Sequence, residues 1–143
     1  MKKLLNIFIV VAVLAFVYVK SSGGISGLPN GSTSSEQVTD AYNDHRSGVQ
    51  MSGEGVVSKI LADDTKGSRH QRFILRLDNG HTLLMAHNID LAPRINHLKV
   101  GDEISFNGVY EWNNKGGVIH WTHDDPNGRH QAGWLKKNGS VYQ

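Results

Sequence analysis

The chain has 143 residues, room for one domain of ordinary size, with 15 Lys and Arg against 13 Asp and Glu and no cysteine. The missing thiols exclude disulfides, thiolate zinc sites and cysteine nucleophiles, so any metal must be held by His, Asp, Glu, Asn or water. Lys2, Lys3 and Lys20 flank an N-terminal apolar run, which leaves twelve basic residues against all thirteen acids in the remainder. Such a near-neutral domain has no global field for collecting polyanions, and nucleic-acid binding would have to rest on a local patch.

Leu4 to Val19 is apolar except for Asn6. The run is slightly longer than the ~7–15 residues of a signal-peptide core and slightly shorter than the ~20 that span a bilayer comfortably. Tyr18, Val19 and Lys20 make a poor cleavage site ahead of the small residues that follow, which favours an uncleaved signal anchor over residues 1–20. Positive charge before the run keeps the N-terminus in the cytoplasm. The expectation is a single-pass protein of the bacterial inner membrane, held there through residues 4–19 with its domain in the periplasm. Cleavage would leave it periplasmic or secreted.

Residues 21–35, "SSGGISGLPNGSTSS", hold ten Ser or Gly and read as a flexible linker. Thr33-x-x-Glu36 offers a capping box, and Val38, Ala41, Tyr42 and His45 follow at helical spacing before Ser47-Gly48, so a short helix is expected over 36–47. From residue 48 the pattern turns to strands: Gln50–Leu61, His70–Leu77 and His81–His87, the last two joined by Asp78-Asn79-Gly80, a hairpin signal. Asn88–Leu98 reads as an irregular or helical connection. Val100-Gly101-Asp102 turns into a strand reaching Trp112, and Asn113–Gly116 turns into the last strand, Gly117–Thr122. Gly53, Gly55 and Gly108 fall where strands of a small barrel must bend. Asn138-Gly139 predicts a terminal hairpin between Trp134-Leu135 and Val141-Tyr142. The fold class is therefore all-β: a small five-stranded OB-like Greek-key barrel over 48–143 with a short helix, preceded by the transmembrane or signal segment and linker. A β-sandwich is the alternative, although it would ordinarily use more strands.

Eight histidines are an excess for this length, and His70, His87, His120, His123 and His130 stand beside other polar groups at expected strand ends. On the second strand Phe73, Leu75 and Leu77 share the core phase, while His70, Arg72, Ile74 and Arg76 share the other, where guanidinium groups could hold a phosphate. His120 and His123, three apart, reach one metal only if the chain turns at Thr122, which the following Asp124-Asp125-Pro126-Asn127-Gly128 permits. His120, His123, Asp125 and His130 are then the expected ligands of a divalent metal ion that activates water or polarises a phosphoryl oxygen. The plainer account makes His120 a satisfied barrel histidine, "DDPNG" a turn and Arg69, Arg72 and Arg76 a solvated face. Trp112 and Trp121 flank one turn and read most simply as a cross-strand aromatic pair.

The strings "GSRHQRFILRL", "LLMAHNIDLAPRI", "GDEISFNGVYEWNNKGGVIHWTHDDPNGRHQAGW" and "NGSVYQ" resemble a bacterial family, domain of unknown function 3465, from about Gly48 to Gln143. The matching positions include His70 to Phe73, His87, Asn88, Asp90, Arg94, Trp112, His120, Trp121, His123, Asp125, Pro126, His130 and Trp134. The resemblance implies an OB-like, exported or anchored protein and brings no activity with it.

Two functions follow as expectations. The first is an extracytoplasmic metal-assisted hydrolase, a nuclease or phosphodiesterase, with His70, His87 and His120 as catalytic groups. Arg69, Arg72, Arg76, Asn88 and Trp121 would bind its substrate, and His120, His123, Asp125 and His130 would hold the metal. The second is a non-catalytic OB-fold module at the cell envelope binding nucleic acid, glycan or peptide. A third possibility, an envelope interaction or accessory protein whose histidines only sense pH or bind metal adventitiously, rests on the same residues.

Overall fold

Thr33 begins the first element in the computed structural model, which describes residues 32–143. Its side chain accepts from the Glu36 backbone N–H while the Glu36 carboxylate takes the Thr33 N–H, the expected capping box. The helix, α1, covers Ser34–Asn43, starting two residues earlier and ending four earlier than the spacing predicts. It stops because His45 enters the left-handed region at φ 51° and Arg46 N–H closes back on the Ala41 carbonyl, a Schellman-type ending. Val38 and Ala41 point into the core, and Asn79 in the hairpin turn donates to Ser35 O and Thr39 Oγ1.

Seven strands follow: β1 Val49–Ile60, β2 His70–Arg76, β3 Thr82–Asn88, β4 Glu103–Glu111, β5 Val118–His120, β6 Trp134–Lys137 and β7 Ser140–Tyr142. The sheet runs β1-β2-β3-β5-β4, and β4 pairs with β1 again, so these five strands close into a barrel. All pairings are antiparallel except β3 with β5. β6 extends the sheet from β4 and β7 from β6, the expected terminal hairpin. One long strand serves two partners: β1 pairs with β4 up to Val56 and with β2 beyond it, with a register shift between Val57 and Lys59.

Alternation decides what is inside. Phe73, Leu75, Leu83, Met85, Ile104, Phe106, Tyr110, Ile119 and Leu135 are buried, and a fully buried Leu, Ile or Phe is worth about 1.5–3 kcal/mol. The expected close approaches at glycine are present: a Cβ on Gly108 would stand 2.5 Å from the His120 carbonyl oxygen. The β3–β4 connection is irregular, with no helix between Ile89 and Gly101. Gln71 holds it, donating to Ile95 O and accepting from Ile95 N–H, both at 2.9 Å, so that Ile95 is drawn into the core.

Among the described residues no helix is long and apolar enough to cross a membrane. The expected anchor over 1–20 and most of the expected linker lie outside the described residues.

Candidate functional site

The β2–β3 register pairs His70 with Asn88, Arg72 with Ala86, Ile74 with Leu84 and Arg76 with Thr82, and paired residues share a face. All of them point away from the core, whose side is taken by Phe73, Leu75, Leu83 and Met85. Parallel pairing of Leu84 with Val118 brings β5 alongside, so Val118 and His120 extend the same outer face. The result is a half-buried aliphatic row, Ile74, Leu84 and Val118, flanked by His70, Arg72, Asn88 and His120. Arg72 donates from Nε to Ala62 O at 3.1 Å and has no carboxylate partner among the described residues.

Several side chains of this face, and Arg69 beside it, also have protein partners. Arg69 gives its backbone N–H and Nε to Asp90 at 2.8 and 2.7 Å, and these donors, the backbone one first, hold the Asp90 carboxyl below the usual range. Asn88 Oδ1 accepts the Asp90 N–H. His70 Nδ1 donates to Ser68 O at 2.9 Å, and His120 Nε2 stands 3.3 Å from Glu111 Oε1.

His87 is fully buried. Its Nε2 lies 2.9 Å from the Pro93 carbonyl, which can only accept, so Nε2 carries the proton and Nδ1 receives the Thr122 hydroxyl at 2.7 Å. Burial pushes its pKa down, the hydrogen bond to the Pro93 carbonyl partly opposes this, and nearby His123 and His70 add to the lowering. The ring is a neutral bridge from β3 to the β3–β4 connection and to the segment after β5.

That segment departs from expectation. β5 ends at His120, and the chain turns at Trp121, φ 55°, one residue before the predicted position. Thr122 and His123 are thereby buried. Gly133 closes the loop: its N–H donates to His123 O, and a Cβ there would lie 2.0 Å from the Trp121 carbonyl oxygen. Asp125 accepts the backbone N–H groups of Asn127, Arg129 and His130, and these three hold its carboxyl below the usual range, Asn127 first. His123 Nδ1 donates to Asp124 O, His130 Nδ1 to Gln131 O, and both rings lie against Trp121, with centroids 5.0 and 4.1 Å away.

The expected metal quartet is therefore not brought together. Among the described residues no three His, Asp or Glu side chains are grouped to hold an ion, and His120, His123, Asp125 and His130 each have other partners. The physical reason is the early turn, which sends His123 inward while His120 stays on the outer face. The expected Trp112–Trp121 pair is also corrected. Glu111 lies opposite Val118 and Val109 opposite His120, so the two indoles are at opposite ends of the β4–β5 pair. Trp112 stacks on Tyr42 and His45 instead.

A family model described as "Protein of unknown function (DUF3465)" matches residues 24–143. The chain belongs to the DUF3465 family. No curated protein matches it. In this DUF3465 chain Gln71 and Thr122 carry structural weight that sequence reasoning missed. Gln71 sits in the core phase set by Phe73 and Leu75, a polar residue at an apolar position, and that was the available signal. Thr122 gave none, because its burial depends on the turn at Trp121.

Proposed function

We propose that the chain is an exported, membrane-tethered OB-like module that binds an extended phosphate-bearing ligand without catalysis. The observation that carries this is the β2–β3–β5 register, which gathers His70, Arg72, Asn88 and His120 around one half-buried aliphatic row. The strand order with parallel β3 and β5 supports the OB-like description, and such barrels take oligonucleotides and oligosaccharides on the β2–β3 face. Arg72 supplies the cation without a competing carboxylate. A metal-assisted nuclease or phosphodiesterase would instead need His120, His123, Asp125 and His130 around one ion.

The test is fluorescence anisotropy of labelled oligo-dT and oligo-U with the purified chain, with and without EDTA, beside denaturing gels containing magnesium, manganese or zinc. Binding that survives EDTA, weakens with salt and falls roughly tenfold in Arg72→Glu is expected. Metal-dependent cleavage lost in His120→Ala would replace this reading with the hydrolase. Binding indifferent to Arg72→Glu, or no binding, would remove the face from consideration.

A further inference from the structure

β1 changes partners at Val56, which lies opposite Glu103 on β4 and opposite Arg76 on β2. A cleft of about 410 Å³ opens at this corner, within the range of roughly 300–1,000 Å³ that small-molecule sites occupy. Its floor is apolar, formed by Gly55, Val56 and the core residues Leu77 and Ile104. The corner is also tight: a Cβ on Gly55 would stand 2.5 Å from the Arg76 carbonyl oxygen, so β1 and β2 meet there only through glycine.

The walls carry opposite charge. Arg76 and Glu103 stand two strand spacings apart, about 10 Å between their backbones, with Val56 between them. Glu54, opposite Ser105, is the diagonal neighbour of Glu103, about 7–8 Å away, and Asp78 lines the rim. None of these four forms an ion pair among the described residues. Opposite charges held apart over an apolar floor fit a ligand that bridges them, and three carboxylates against one guanidinium favour a ligand with net positive charge.

We propose that this cleft binds a small basic amino acid or the basic end of a peptide. The ligand carboxylate takes the two-pronged guanidinium of Arg76, and its ammonium groups take Glu54 and Glu103, with Asp78 in reserve at the rim. Arg76 shares the outer face of β2 with Arg72 but stands at the opposite end of that strand, the cleft lining does not include Arg72, and its occupant is a cation rather than a phosphate.

L-lysine is the probe, titrated into the ¹⁵N-labelled chain, with cadaverine as the amine lacking a carboxylate. Saturable shifts of the Val56, Leu77 and Ser105 amides are expected with lysine. Glu103→Gln should weaken both probes roughly tenfold, Arg76→Gln should weaken lysine by a similar factor while leaving cadaverine unchanged, and Arg72→Glu should change neither. Arg76→Lys takes the place of Arg76→Gln should the latter not fold. Absence of shifts at millimolar lysine, shifts insensitive to both cleft variants, or cadaverine binding as tightly as lysine would each overturn the proposal.

Discussion

His87 is the residue whose surroundings fix its chemistry most tightly. A neutral ring with both nitrogens occupied, 0% exposed, resists protonation in the folded chain more than in the unfolded one. The sign follows from that difference: above the ordinary imidazole value of about 6.5 neither state is protonated, and this contribution is complete. As pH falls from there toward the lower folded-state value, the unfolded chain gains the proton first and stability is lost. Urea midpoints at neutral and mildly acid pH should therefore differ in the wild type, and His87→Gln should flatten the difference. An unchanged pH slope in the variant would show that His87 does not carry it. Truncation to His87→Ala also strands the Pro93 carbonyl and the Thr122 hydroxyl, and should cost about 2–5 kcal/mol by combined cavity and unpaired-group effects, read from the same urea curves. Asp125 acts on a smaller scale. Asp125→Ala removes the acceptor of three backbone N–H groups, and hydrogen exchange at Asn127, Arg129 and His130 should accelerate while the barrel amides stay protected.

Two elements depend on local rules that can be tested separately. α1 is short, and its capping box supplies a large part of what keeps its first turn formed. Thr33→Ala should cost about 1 kcal/mol, measured by chemical denaturation, and a loss below a few tenths would mean that Val38 and Ala41 anchor the helix without the cap. β1 instead depends on a close approach. In Gly55→Ala the new methyl would stand 2.5 Å from the Arg76 carbonyl oxygen and 2.9 Å from Leu75 Cγ, and since the backbone contact cannot be relieved by a rotamer change, the corner must open. A loss of about 1–3 kcal/mol is expected, with amide shifts concentrated at Val56 and Arg76, and a neutral outcome would mean that β2 can retreat freely. The expected strand starts and the hairpin turns agree with the structure to within a residue or two, because alternation and Asn-Gly chemistry act over a few neighbouring residues. The end of β5 falls two residues short of the expected Thr122, and what matters is the direction of the turn there, because three residues of pairing leave it to be set by contacts with Asn107 and the Gly133 segment.

At the scale of the whole molecule, α1 and the barrel share one core over Ser32–Gln143. Trp112 reports on the α1 end and Trp121 and Trp134 on the loop and hairpin after β5, so unfolding followed by Trp fluorescence and by circular dichroism should coincide in a single transition. A separate early transition by one probe would show that the α1 end or the loop melts alone. By itself the sequence determined the all-β class, the five barrel strands with their core and outer phases, the capped helix and the terminal hairpin, since each depends on periodicity or on a short turn motif. It also singled out Arg72, Asn88 and His120, which pairing then placed on one face. Whether the histidines would converge was decided only by tertiary structure. The sign of φ at one residue, Trp121, sends His123 inward and leaves His120 outside, and no local pattern encodes that choice. The cleft at Val56 has the same origin: Glu103 and Arg76 are far apart in sequence and become facing walls only because one strand pairs with two partners and the barrel closes.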